Sequence, residues 1–128
     1  MPSATPERDV AALLAQALAP TPVHWGWAPF EASAEPPSLP VVILQRLSFS
    51  TAGYEDLCSD AAYLGDTLLA VTVWAQGYED ARALNANARS AMAGAPGWRL
   101  QQELDLYEPA FRAWSIAGHW LAPGIAPA

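Results

Sequence analysis

The sequence predicts a single α+β domain: an antiparallel sheet of about four strands with two helices packed on one face, in the order α-β-β-α-β-β. Three features lead to it. From Leu68 to Trp74 the chain is apolar on both alternate sets of positions, as a covered strand requires. After Gln76 and Gly77 the spacing changes, and Ala81, Leu84, Ala88, Ala91 and Met92 fall on one helical stripe. Beyond Ala95-Pro96-Gly97, two period-two runs meet at Glu108-Pro109, close enough to be antiparallel neighbours. A length of 128 residues fits one domain.

Each element has its own local reason. Thr5-Pro6-Glu7 offers a capping hydroxyl, a proline at the first helical position and an acid in the first turn, so a helix is expected over 6–19. Val10, Leu13, Leu14, Ala17 and Leu18 form its apolar stripe, and Pro20 and Pro22 end it. Residues 21–40 are proline-rich and irregular, with room for a short extended piece around Val23 to Trp27. Val41 to Ser50 reads as a strand, apolar on both faces in its first half and one-sided in its second. Residues 51–65 hold Glu55, Asp56 and Asp60 and no base, and read as a long loop with at most a helical turn near Glu55 to Ala61. The second helix begins with Glu79 and Asp80 in its positive first turn, has Arg89 towards its end, and offers Gly94 for a left-handed stop. Trp98 to Tyr107 alternates with Trp98, Leu100, Gln102, Leu104 and Leu106 on one side, so a one-sided strand with a polar outer face is expected. Ala110 to Trp120 is the last strand; residues 1–5 and 121–128 are expected to be flexible ends of the domain.

Composition narrows the function. Charged residues make up only 15% of the chain, against 52% hydrophobic and six tryptophans, below the usual quarter or so charged. Part of the surface is therefore expected to be buried against partners. The second faces of Val41 to Leu44 and Leu68 to Trp74 are too apolar to stay wet, so either the sheet curls on itself or another subunit packs there. A net charge of −7 with arginine as the sole strong base argues against a groove that grips nucleic acid. It suits a wall that DNA passes without sticking. One cysteine, Cys58, gives no internal disulfide. No signal peptide and no apolar run of membrane-spanning length are seen, so a soluble, cytoplasmically made protein with no membrane partner is expected.

Catalytic chemistry finds little to stand on. His24, His119 and Cys58 are the soft metal ligands, and none is paired at ligand spacing. No GxSxG elbow and no phosphate-cradling glycine loop is present. The pair Glu79-Asp80 is accounted for by the helix dipole, and Glu55-Asp56 by a solvated loop. No catalytic residue, metal or cofactor is assigned, and the chain is expected not to be an enzyme. Trp74 and Trp114 are expected to fill the core. Trp25, Trp27 and Trp98, which lie near loops, are the candidate subunit-interface residues, because tryptophan is enriched where proteins meet. A small-ligand-binding or enzymatic α+β domain using a pocket near His24, Trp25 and Trp27 is the alternative.

The run from Leu68 to Met92 resembles the tail-completion, or tail-terminator, proteins of tailed bacteriophages and prophages. The residues concerned are Val71, Val73, Trp74 and Ala75, then Tyr78, Ala81 and Leu84. The early helix, the stretch Pro22 to Pro29, the strand from Pro40 to Leu47 and the ending Leu104 to Trp114 are also similar, so the likeness runs along most of the chain. The acidic loop 51–65 and the proline-rich tail depart from that pattern. The resemblance implies a virion structural protein of a phage or prophage, a subunit of a homohexameric ring made in the host bacterial cytoplasm. In the virion tail such a ring caps the tail tube and joins it to the head connector. Its partners would be copies of itself, the tail tube protein and the head-tail connector protein, with DNA only as passing cargo. A related head-tail connector or minor tail component is the neighbouring reading.

Overall fold

The computed structural model describes residues 5–26, 38–51 and 65–125. In chain order the elements are α1 (Glu7–Ala17), β1 (Val23–Trp25), β2 (Val41–Thr51), β3 (Gly65–Ala75), α2 (Tyr78–Met92), β4 (Arg99–Glu108) and β5 (Ala113–Ile125). The strands form one sheet in the order β1-β2-β3-β5-β4. It has five strands where about four were expected, and it is mixed: β1 runs parallel to β2, and the other pairs are antiparallel. The extra strand is the extended piece around Val23, which takes Val42 to Leu44 as its partners in place of irregular coil.

β3 is the central strand and is buried on both faces from Leu69 to Ala75. Its period-two side chains divide the sheet. On one side Val42, Leu44, Leu69, Val71, Val73, Ile116 and Trp120 pack against Val10, Leu14 and Leu18 of α1 and Ala81, Ala88 and Met92 of α2. Both helices thus lie on one face, as their stripes require. Each fully buried valine or leucine there contributes roughly 1.5–3 kcal/mol. The opposite side has a smaller cluster of Val41, Ile43, Trp74 and Ala113, flanked by Leu39 and Phe111.

Helix ends differ from expectation. Thr5 does not cap α1: Pro6 stands at the N-cap, without a side-chain hydrogen bond. The Thr5 backbone is tied instead to the turn after α2, its N–H donating to Pro96 O at 3.1 Å. The left-handed glycine after α2 is Gly97 (φ 92), while Ala93 caps the helix in right-handed geometry. The turn between β4 and β5 is longer than Glu108-Pro109 alone. Ala110 N–H donates to Glu108 Oε1 at 3.0 Å, Arg112 holds a positive φ of 49°, and β5 begins at Ala113. At its far end β5 continues to Ile125, so Leu121 to Ile125, expected as tail, is strand paired with β3. The acidic loop lies outside the described residues between Thr51 and Gly65, which are themselves register partners.

The largest correction concerns β4. A bulge between Leu100 and Gln102 inserts Gln101 and reverses the alternation. Leu100 packs on the helix-side core as its spacing predicts. Past the bulge, Glu103 and Asp105 turn towards α2, and Leu104 and Leu106 turn away from it. The expected polar outer face is therefore apolar on its outer side.

Candidate interaction surface

The bulge makes the sheet face opposite the helices the distinctive surface of the molecule. Register rows on that face run Ile43–Thr72–Ala117–Leu104 and Gln45–Ala70–His119–Gln102. Small side chains occupy its middle, at Ala70, Thr72, Ser115 and Ala117. Leu47 stands on one flank, and Leu104 and Leu106 stand on the other. Together with Trp74 they outline a shallow apolar hollow of about 230 Å³. Its walls are wet: Leu47 is 41% exposed, Leu104 51% and Leu106 56%. Leu47 belongs there by simple alternation with Ile43 and Gln45, and the second bulge, between Arg46 and Ser48, shifts the register only beyond it. Ser115 Oγ donates to Leu106 O at 3.5 Å, and Gln102 Nε2 and His119 Nδ1 lie 3.0 Å apart. His119, expected at a strand end, is in mid-strand because β5 continues past it.

The helix side of β4 is polar and holds the edge strand to α2. Arg89 pairs with Glu103 at 3.2 Å, Asn85 Nδ2 donates to Glu103 Oε2 at 3.3 Å, and the Tyr78 hydroxyl donates to Asp105 Oδ2 at 2.7 Å. That hydrogen bond to Asp105 holds the Tyr78 phenol above its ordinary pKa. A cleft of about 340 Å³ opens there, with Arg82 and Arg89 on one wall and Glu103 and Asp105 on the other. The Arg89–Glu103 pair and the Tyr78–Asp105 hydrogen bond cross it, while Arg82 pairs with Glu79 on its own helix at 3.8 Å, so it reads as a strut between strand and helix.

Glu7 is a second buried polar group, 1% exposed, at the start of α1. Burial pushes its carboxyl above the usual value of 4.5, with the Arg46 charge and the Thr67 hydroxyl opposing. Arg46 Nη1 lies 3.7 Å from Glu7 Oε1.

The tryptophans named from sequence are scattered. Trp25 stands on the edge strand β1 and is 43% exposed. Trp98 is only 6% exposed; its ring joins the subunit's own core and its Nε1–H donates to Thr5 O at 2.8 Å. Trp27 and Cys58 lie outside the described residues. Trp74 is buried and meets Phe111 edge-on at 6.1 Å, and Trp114 packs between Tyr78 and Tyr107. His24 is exposed on β1 and pairs in register with Ile43. Among the described residues, no cluster of three or more His, Cys, Asp or Glu could hold a metal. No described helix is long and apolar enough to cross a membrane.

Leu104 and Leu106 escape a reading of the sequence because strict alternation puts them inside, on the side of Leu100. One signal was present. Asn85 interrupts the inward stripe of α2 between Ala81 and Ala88, and it is buried. A buried amide needs a polar partner, which implies that the facing strand presents a polar side.

No protein-family model matches the chain, and no curated protein matches it. Among solved structures, a chain from the virion of a native gene transfer agent (GTA) particle is similar, with a TM-score of 0.50. Sequence identity is 15%, and the match covers 90% of this chain and 83% of that chain. At that identity the likeness is one of fold.

Proposed function

We propose that the chain is a structural subunit of a phage-like virion, and specifically a tail-completion protein that forms a homohexameric ring. The ring closes the tail tube and presents a second face to the head connector, and it acts by fit, without making or breaking a bond. The observation that carries this reading is the fold likeness to a component of a gene transfer agent virion along nearly the whole chain. Two independent features support it: the resemblance running from Leu68 to Met92, and an apolar sheet face exposed on a subunit with few charges. The acidic balance is compatible with a passage for DNA, since a wall of like charge does not retain the phosphate backbone. Among the described residues, the hollows on either face of β4 are lined by neither His24 nor Trp25.

Light scattering on purified protein over a concentration series tests the ring. The expected result is growth towards a six-copy mass, with annular particles in electron micrographs of the protein mixed with tail tube protein. A chain that stays monomeric and leaves tube ends bare in such micrographs would refute the assignment.

A further inference from the structure

We propose that the apolar hollow on the open sheet face receives the β1 edge of a second copy of this chain, led by Trp25. This contact rests on the ring reading and supplies its subunit interface. Among the described residues, five large hydrophobic side chains are exposed: Trp25, Leu47, Leu104, Leu106 and Tyr107. Leu47, Leu104 and Leu106 wall the hollow. Tyr107 leans on Trp114 on the other side of β4. Trp25 alone stands apart, at the opposite edge of the sheet. The described residues thus include an apolar knob and an apolar recess.

Charge decides which copy-to-copy contact is tolerable. Each copy carries a net −7, so surfaces bearing acids repel one another. The ten residues lining the hollow include no Asp, Glu, Lys or Arg. Neither does the stretch from Leu18 to Gly26 around Trp25. The two surfaces are matched in being neutral and apolar. The floor hydroxyls of Thr72 and Ser115 can accept an indole N–H, so a seated tryptophan keeps a polar partner.

Geometry then sets the kind of assembly. The knob is on β1 and the recess spans β2, β3, β5 and β4, so one surface of a copy meets a different surface of the next. Made in one direction, such a head-to-tail contact builds a ring or an open chain; made reciprocally about a two-fold axis it closes a pair, so the mass of the parent oligomer distinguishes the two.

Sedimentation velocity on complementary variants tests this. Trp25→Ala keeps the recess and loses the knob; Leu106→Arg keeps the knob and blocks the recess. Both sites are exposed, and circular dichroism confirms that each variant folds; Trp25→Gln and Leu104→Arg form a second pair if either does not. Each variant alone should sediment as a monomer at concentrations where the parent chain is oligomeric. An equal mixture should give a heterodimer and nothing larger, because one knob and one recess remain. An oligomeric parent whose variant mixture stays monomeric, or a variant that still associates alone, overturns the contact and leaves the ring reading standing on another interface. A parent chain that is monomeric throughout the series also overturns it; the ring reading is then decided separately by micrographs with tube protein as template.

Discussion

Glu7 shows how little of a residue's situation its local sequence reveals. As an acid in the first turn of a helix it reads as a solvated partner of the helix dipole, and Asp9, two residues on, is exposed in that way. Glu7 is buried because α1 crosses the sheet where β2 and β3 place Arg46 and Thr67 beside it, a juxtaposition no local pattern contains. Its carboxyl titrates above 4.5 in the folded chain, so the folded state holds the proton more tightly than the unfolded one. The Glu7 contribution to stability therefore falls as pH rises from 4.5 through the raised folded value, and is regained on acidification through that window. Glu7→Gln should unfold at a higher temperature than the parent at neutral pH and should flatten the pH dependence between pH 4.5 and neutrality. The Arg46 side chain, 41% exposed, remains solvated after the change. Differential scanning calorimetry across that range checks this; a Glu7→Gln variant less stable than the parent at neutral pH would show that the ion pair outweighs the desolvation.

Among the elements, β3 and the inward stripe of α2 were legible, the expected left-handed stop at Gly94 was not found there, and β4 was legible in extent but not in orientation. The apolar run from Leu69 to Ala75 demands cover on both faces and finds it, and the α2 stripe at Ala81, Ala88 and Met92 points inward as spaced. β4 failed because a bulge is one added residue, and one residue reverses every side chain beyond it. β1 was seen only as a possibility because three residues carry too short a pattern to separate a strand from coil. The element on which both faces agree gives the sharpest stability test. Trp74 lies in the central strand, 5% exposed, edge-on to Phe111 and close to Val41 and Ile43. Trp74→Ala should cost about 3–5 kcal/mol in urea-induced unfolding. A loss below about 0.5 kcal/mol, typical of a surface change, would mean that the open face is not packed around this ring.

At the scale of the whole molecule, the open face, the low charge and the acidic balance together make a prediction that separates apolar from ionic assembly. Two copies at −7 repel at distance, and the repulsion extends over the Debye length, about 30 Å at 0.01 M salt and about 10 Å at 0.1 M. Raising the salt removes that repulsion while leaving an apolar contact between uncharged surfaces intact. Self-association through the hollow should therefore tighten as ionic strength rises over that range, and sedimentation equilibrium at several salt concentrations measures it. The rival surface is the charged wall around Arg82 and Arg89, 60% and 55% exposed, facing the acids of a neighbour. Contacts of that kind are screened by salt and would weaken over the same range. The sign of the salt dependence thus tells which face of β4 the subunits use.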